Sequence, residues 1–405
     1  MTAGTTTSVR SPLPPSIRLA LFLAVFVVGV DTYIVAAILP LMSEDLGTPV
    51  AALGLLASAY ALPTALLGPA FGPLSDRLGR KNAMLTGAIL FSAACTATML
   101  APGFGLLIAG RLVNGVAAAI LTPATLAYAA DRSAPEDRGR AMGKVMSAMP
   151  FSTIIGIPAG AVAAALLGWR AAFGFVVAVS AIVVFLVTRL PADRTSATVQ
   201  RWTDGYRMVL RDRSALRALV VTFVWMVPPF GLLIYLSEFF HSEFGIPAER
   251  SGLIYMVIGV VGVLATRVGS RYIERVGRKR SVVLAILAFT FAAFLLPFTV
   301  GSLPVALIVF AVWASGSWFG LPAQQANVSE MAGGATGTAL AFNTSAMYLG
   351  GVVGPAVIGW LIDRGGFLLA TRGAAALGVV AAVLAVTLLA PDGKRSPSAA
   401  PAAAG

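Results

Sequence analysis

Residues 72–81 read Gly-Pro-Leu-Ser-Asp-Arg-Leu-Gly-Arg-Lys, and this short basic stretch lies between two long apolar segments. A near copy, Ser-Arg-Tyr-Ile-Glu-Arg-Val-Gly-Arg-Lys, occupies residues 270–279, at an offset of 270 − 72 = 198 residues. The same offset relates residues 147–149 to residues 345–347, and Gly156 to Gly354. Several matches at one offset of roughly half the chain predict two homologous halves, a repeat pattern found in membrane transporters.

The composition is that of a membrane protein. Hydrophobic residues make up 58% of the 405 residues and charged residues only 11%, whereas soluble domains carry about 25% charged residues. With so little charge, most of the surface must face a lipid bilayer, which is therefore an expected partner. The net charge of +12 is assigned to loops between apolar spans, so nucleic-acid binding is not expected. The single cysteine, Cys95, excludes a disulfide bond within the chain.

Twelve apolar runs are long enough to cross a bilayer, for which a helix needs about 20 residues. They are residues 17–42, 50–74, 82–101, 103–130, 141–167, 169–190, 215–240, 250–273, 281–300, 302–328, 335–361 and 366–390. Membrane-spanning strands are about half this length and alternate in polarity, which these runs do not. The sequence therefore predicts an all-α membrane protein with twelve transmembrane helices in two six-helix bundles related by pseudo-two-fold symmetry.

The placement of basic residues predicts the orientation. Lys and Arg favour the cytoplasmic side of membrane proteins, and most of the 29 Lys and Arg residues fall on one side if the N-terminus is cytoplasmic. We expect both termini in the cytoplasm and the protein in the inner membrane of a prokaryote. The predicted parts are a disordered tail 1–16, an N-terminal bundle 17–190, a cytoplasmic central loop 191–214, a C-terminal bundle 215–390 and a disordered tail 391–405.

The central loop 191–214 is rich in arginine and also holds Trp202 and Tyr206. Such a segment is expected to lie on anionic lipid headgroups. Recruitment of a partner protein is the alternative.

Four motifs carry a resemblance to a known family. Residues 72–81 match its loop between helices 2 and 3, residues 31–40 its helix 1 pattern, and Arg111-Leu-Val-Asn-Gly115 its helix 4 motif. Gly156-Ile-Pro-Ala-Gly160, followed by Gly168-Trp-Arg170, is similar to the helix 5 motif of exporters, although Ile157 intervenes before Pro158. Over residues 17–390 the chain resembles the major facilitator superfamily, specifically its twelve-helix drug:proton antiporter branch.

Asp31 and Arg111 are the candidate proton-coupling residues. Each lies inside a predicted span, where an ionisable side chain is costly and usually functional. Asp31 is about nine residues from the outer end of span 1, and Arg111 about eight from the outer end of span 4, so the 1.5 Å rise per residue places them at similar depth. The resemblance implies that the arginine tunes proton release from the acid. The alternatives are a packing hydrogen bond for Asp31 and a structural ion pair for Arg111.

The loop after span 2 is a candidate gate. The resemblance implies that Asp76 holds the N-terminal end of helix 11 and that Arg77 reaches an acid at the inner end of helix 4, where Asp131 is available. These contacts are expected to stabilise the outward-open state. The predicted gating residues are Gly72, Asp76, Arg77, Gly79, Arg80 and Asp131.

Large or polar side chains deep in the spans are candidates for a substrate cavity, because broad, deformable apolar cavities suit lipophilic substrates. Each of them could instead face lipid or fill a helix contact. The candidates are Tyr33, Tyr60, Asn114, Met149, Trp225, Phe230, Trp318 and Asn343. Glu238, His241 and Glu243 at the outer end of span 7 could form a second proton site, but a solvated rim is the favoured interpretation.

The predicted function is proton-coupled export of small lipophilic or amphipathic compounds by alternating access, with a small molecule and protons as partners and a monomer as the expected state. One alternative is proton-linked transport of a sugar or other metabolite, which would require more polar residues in the cavity. Another is a lipid-handling or sensing protein without proton coupling, against which Asp31 argues. No phosphate-binding loop, metal cluster or nucleophile with a base is recognisable, so an enzyme, an ATP-driven pump, a cofactor and a metal are not expected.

Overall fold

The structure is a computed structural model that describes residues 14–134, 137–192, 202–331 and 336–389. Only the backbone is described for residues 72–77, 139, 202–205, 208, 248–249, 331 and 336–337. The predicted tails therefore lie almost entirely outside the described residues. Within them the chain forms long apolar helices. The first six are α1 (Pro15–Leu46), α2 (Val50–Leu78), α3 (Arg80–Met99), α4 (Phe104–Asp131), α5 (Arg138–Met146, Ala148–Phe151, a π turn Ser152–Gly156, and Ile157–Leu167) and α6 (Trp169–Thr188).

The remaining helices repeat this arrangement after a short linker helix, Trp202–Arg211. They are α7 (Arg213–Ile234 and Leu236–Phe244), α8 (Ala248–Val276), α9 (Arg278–Leu295 with a 3₁₀ turn Leu296–Thr299), α10 (Leu303–Phe319 and Leu321–Met331), and α11 and α12 within Thr336–Leu388.

Thr336–Leu388 is two helices because its backbone breaks at a glycine pair. Gly365 has φ −158° and Gly366 has φ 63°, and the second value lies in the left-handed region that glycine adopts without steric cost. We number residues 336–364 α11 and residues 367–388 α12. The described chain thus contains twelve spanning helices, and the predicted all-α fold with two six-helix bundles is confirmed.

The main differences from the predicted spans are interruptions. Span 5 contains the π turn just before Pro158, and span 7 breaks at Tyr235 after Pro228 and Pro229. Pro158 lacks a backbone donor and its ring clashes with the preceding turn, which accounts for the interruption of span 5 and is not registered by hydropathy alone. The second half of the predicted central loop forms the linker helix Trp202–Arg211.

The repeated basic stretch makes equivalent contacts in both halves. Arg80 Nε lies 3.1 Å from Asp131 Oδ2 on α4, and Arg278 pairs in the same way with Glu330 on α10. Lys81 Nζ donates to the carbonyl oxygen of Leu190 after α6, and Lys279 Nζ donates to that of Leu389 after α12. Each copy thus ties the start of its third helix to the ends of its fourth and sixth helices, so the repeated stretch has the same structural role in both halves.

The two halves pack together at the end of the molecule that carries the α1–α2 loop. Ser58 on α2 donates to the carbonyl oxygen of Val352 on α11 at 2.7 Å, and Ser237 on α7 donates to that of Ala36 on α1. One continuous apolar core joins α1 and α2 to the C-terminal part of α7 at this end. A second core, around Val221 and Trp225, lies within the C-terminal half toward the opposite end.

Candidate functional site

Asp31 on α1 and Arg111 on α4 form a fully buried ion pair. Arg111 Nη1 lies 2.8 Å from Asp31 Oδ1, and neither side chain has exposed surface. Arg111 Nη2 also donates to the backbone carbonyl oxygen of Asp31 at 3.0 Å. Because the guanidinium contacts both the carboxylate and the backbone of α1, it fixes the position of Asp31 as well as balancing its charge. The two residues lie at the same depth, as their positions in the sequence predict, and their side chains are in contact. Their role in proton coupling stays a prediction.

Helix α2 supplies further contacts to Arg111. Its guanidinium stacks on the Tyr60 ring with 4.6 Å from Cζ to the ring centroid, and its Nε donates to the Leu56 carbonyl oxygen at 3.4 Å. The Tyr60 hydroxyl in turn accepts a hydrogen bond from Thr32 at 3.0 Å. Stacking on an aromatic face stabilises a guanidinium that has been removed from water.

The close approach of α2, α3 and α4 depends on small residues beside the pair. A Cβ atom on Gly110 of α4 would overlap Thr98 on α3, and one on Gly115 would overlap the carbonyl oxygen of Tyr60 on α2. The helix 4 motif that suggested a functional arginine therefore also contains the glycine that lets its helix approach α2.

Among the described residues, one oxygen of Asp31 has no hydrogen-bond partner. Cys95 on α3 places its Sγ 3.8 Å from Oδ1, on the side already contacted by Arg111, while Oδ2 is buried and unpartnered. Asn114 lies beside the thiol, with its Nδ2 3.4 Å from Sγ. An unpaired carboxylate oxygen in a buried site is costly, and it is the atom that can accept a proton without breaking the ion pair. Sequence reasoning did not identify Cys95, because a single cysteine in an apolar run carries no local signal.

The predicted cavity residues divide into two groups. Tyr33, Met149, Phe230 and Trp318 are half-buried, and Phe230 lies near Gly351 of α11 and Ala61 of α2, where the two halves meet. By contrast, Tyr60 and Asn114 belong to the buried surroundings of the ion pair. Trp225 is enclosed within the C-terminal half against Gly320 of α10. Trp225 is therefore a core residue of the C-terminal half, and a cavity-lining role for the four half-buried side chains stays a prediction.

Asn343 belongs to a buried polar cluster in the C-terminal half. It accepts a hydrogen bond from Thr222 on α7 at 2.7 Å, and Gln324 on α10 donates to Thr222 at 2.8 Å and to the Ala218 carbonyl oxygen at 2.8 Å. Thr222 and Gln324 were missed in the sequence. They are single polar residues in apolar helices, and the only available signal was their polarity.

The structure describes only some of the predicted gating residues. The Arg80–Asp131 pair shows that the acid at the end of α4 does contact the repeated stretch, and Gly79, with φ 83°, ends α2. The side chains of Asp76 and Arg77, and the surroundings of Gly72, lie outside the described residues, so their roles stay predictions.

The helix 5 motif packs against both neighbouring helices. Gly156 and Gly160 face α1, where an added Cβ atom would overlap Val30 and Ile34 respectively. Pro158 faces Gly252 of α8, whose added Cβ would lie 2.7 Å from the proline Cα. The motif therefore lies where α5 joins the N-terminal half to α8 of the other half.

The candidate second proton site lies at the end of the molecule that carries the α1–α2 loop, where Glu238 is close to Glu44. Glu238 is half-buried and Glu243 is exposed, while His241 Nδ1 lies 3.0 Å from the Ile246 carbonyl oxygen. The three side chains do not share the enclosed setting of Asp31.

Comparison with known proteins places these features in a family. The family model described as Major Facilitator Superfamily matches residues 21–348 and 268–405. An uncharacterized MFS-type transporter of Bacillus subtilis (strain 168), YceJ, is 26% identical over 387 residues, covering 94% of this chain and 98% of its own.

Two further similarities span most of the chain. Multidrug resistance protein 2 of Bacillus subtilis (strain 168) is 26% identical over 351 residues, covering 84% of this chain and 87% of its own. The crystal structure of a D-xylose-proton symporter superposes with a TM-score of 0.73 at 18% identity, over 94% of this chain and 99% of that one. At that identity the superposition indicates a shared fold.

Proposed function

The chain belongs to the Major Facilitator Superfamily and is a multi-pass membrane transporter, and we propose that it exports small lipophilic or amphipathic compounds in exchange for protons. This assigns it to the drug:proton antiporter branch of the family. The proposal places it in the inner membrane of a bacterium, with both termini in the cytoplasm.

The observation that carries the proposal is the state of Asp31. A coupled antiporter needs a group that is protonated in one conformation and ionised in another. Asp31 is fully buried, its Oδ1 lies 2.8 Å from Arg111, and its Oδ2 has no hydrogen-bond partner in the described part of the chain. A purely structural ion pair gains most when every lone pair is satisfied, so the unpaired oxygen supports a titrating role.

The charge of Arg111 and the burial of Asp31 act on the carboxyl group in opposite directions. Arg111 cannot lose its proton and provides a constant charge that favours the ionised carboxylate, whereas burial favours the protonated acid. A change in hydration or in the Asp31–Arg111 distance between conformations then moves the proton on or off Oδ2. A cationic or neutral substrate competes for the site when the proton leaves.

Two features support export of apolar compounds. The half-buried candidates for the cavity lining, Tyr33, Met149, Phe230 and Trp318, are aromatic or thioether side chains, which suit lipophilic molecules of varied shape. The helix 5 motif, typical of exporters, lies at the contact of α5 with α1 and α8. The similarity to a multidrug resistance protein is consistent with this direction.

The test is flux in proteoliposomes with an imposed pH gradient, after a thermal-shift screen of drugs, sugars and amino acids has provided a substrate. Asp31→Asn is expected to abolish accumulation against a gradient while downhill exchange remains measurable. Asp137→Asn is the matched control, because Asp137 is an exposed carboxylate paired only loosely with Arg140, at 3.9 Å. Uphill accumulation by Asp31→Asn would refute the assignment and make Glu238 or His241 the next candidate.

A further inference from the structure

We propose that Cys95 is a positioning residue of the proton site: its thiol shares Oδ1 of Asp31 with Arg111 and so leaves Oδ2 as the oxygen that takes the proton. The inference rests on the proposed function, since it concerns how Asp31 exchanges its proton. It adds helix α3 to a site that the sequence assigned to α1 and α4 alone.

The geometry separates the two carboxylate oxygens. Oδ1 has Arg111 Nη1 at 2.8 Å and Cys95 Sγ at 3.8 Å, whereas no described residue offers a hydrogen bond to Oδ2. Sulfur hydrogen bonds are longer than those of oxygen, and the S–H group is a weak donor. The guanidinium charge and the thiol both favour the ionised acid at Oδ1, so a proton on Oδ2 displaces neither group but weakens the hydrogen bond of the thiol by neutralising the carboxylate.

The thiol has a second acceptor within reach. Asn114 Oδ1 lies 3.6 Å from Sγ, and Asn114 Nδ2 lies 3.4 Å from it. A thiol carries one hydrogen, so it donates either to Asp31 or to Asn114, and the choice requires only rotation about the Cβ–Sγ bond. An ionised carboxylate is the stronger acceptor. The thiol therefore points to Asp31 when the acid is ionised and is released toward Asn114 when it is protonated.

The rotation of the Cys95 thiol links the protonation state of Asp31 on α1 to hydrogen bonding on α3 and α4. Asp31, Cys95 and Asn114 lie on α1, α3 and α4 and are all fully buried, so no water shell competes with their contacts. The thiol keeps its hydrogen throughout, and no covalent step is involved. The alternative is that Cys95 merely fills the space between α3 and α4, in which case its polarity would not affect proton exchange.

The first test compares Cys95→Ala with Cys95→Ser. Alanine removes the donor, so the protonated acid is favoured and the pH dependence of uphill transport should move to higher pH by roughly half a unit. Serine keeps a donor and should return the profile toward that of the native protein. A profile unchanged in Cys95→Ala would overturn the inference, while failure of Asp31→Asn to abolish accumulation would overturn the proposed function instead.

The second test does not depend on the alanine variant folding. Because the chain has a single cysteine, its S–H stretching band in the infrared spectrum arises from Cys95 alone. In the native protein the band should shift as the pH is lowered, and in Asp31→Asn it should remain at the acidic position at every pH. A band that does not respond to pH in the native protein would show that the thiol does not sense Asp31 and would overturn the proposal.

Discussion

At the residue scale, the buried carboxylate of Asp31 is paired with the buried guanidinium of Arg111. Arg111 contacts the carboxylate and the backbone of Asp31, the Leu56 carbonyl and the Tyr60 ring. The equivalent positions in the second half, 31 + 198 = 229 and 111 + 198 = 309, are Pro229 and Val309. The ionisable pair therefore occurs in only one of the two repeats, and the halves share a scaffold without sharing this site.

Removing the arginine alone should be costly. Arg111→Ala leaves Asp31 buried without its counter-charge, which typically costs about 3–5 kcal/mol when the charge cannot be relieved. We expect a clearly lower melting temperature in detergent and, where transport is measurable, a shift of its optimum to higher pH. The double variant Asp31→Asn with Arg111→Gln should be more stable than Arg111→Ala, because no unpaired charge remains.

The control for this prediction is Arg140→Ala. The Arg140 side chain is 77% exposed and its loose pair with Asp137 should contribute little. Equal melting temperatures for Arg111→Ala and Arg140→Ala would contradict the prediction. They would show that buried Asp31 does not depend on Arg111 for its counter-charge.

At the scale of the elements, interrupted helices hold the two halves together. Helix α7 breaks at Tyr235 (φ −95°, ψ 11°), and at this break the Tyr235 hydroxyl lies 3.1 Å from the Ala51 carbonyl oxygen of α2 and 2.9 Å from that of Pro355 of α11. Gly54 and Gly359 leave room for the hydroxyl, since a Cβ atom on either would overlap it. The break in the helix thus places a polar contact between the halves at the α1–α2 loop end.

Tyr235→Phe should weaken closure at this end. Loss of a hydrogen bond of about 1 kcal/mol changes a two-state ratio roughly five-fold, here toward the state that is open at the α1–α2 loop end. Spin-label distances between α1 and α7 at that end should acquire a longer component. Tyr255→Phe is the control, because Tyr255 is equally buried but its hydroxyl donates to Leu233 within the same half, at 3.0 Å. Identical distance distributions in the two variants would rule out the proposed role of Tyr235.

At the scale of the whole molecule, the fold is a pair of repeats packed together at one end. The contacts of Ser58, Tyr235 and Ser237 join the halves near the α1–α2 loop. With the orientation predicted from the basic residues, this is the extracytoplasmic end, and the described conformation is closed on that side. We expect alternating access to open this end and to bring the two repeated basic stretches together at the other.

The orientation can be tested with engineered cysteines, because the one native thiol is fully buried. Glu243→Cys lies at the end of α7 and Arg140→Cys at the start of α5, and both positions are exposed. A membrane-impermeant maleimide should label Glu243→Cys in intact spheroplasts and Arg140→Cys only after lysis. The reverse pattern would show that the charge-based orientation is inverted.

The sequence alone determined the number of helices, the pairing of the halves and the depth of the buried ion pair. Helix spans depend on local hydropathy, so they can be read from runs of about 20 apolar residues. The repeat depends only on identity at a fixed offset. Asp31 and Arg111 could be paired because each is a single ionisable residue deep in an apolar span, and the helical rise converts their positions into similar depths.

Only the tertiary structure decided which side chains meet across helices. The contact of Cys95 with Asp31, the Thr222–Gln324–Asn343 cluster and the Tyr235 bridge join residues 64, 121 and 184 positions apart in the chain. Such contacts depend on how helices cross and rotate, which is set by packing at residues such as Gly54 and Gly110 and leaves no periodic signal in the sequence. The end at which the halves close is likewise a property of their packing, because one sequence must support both states of a transporter.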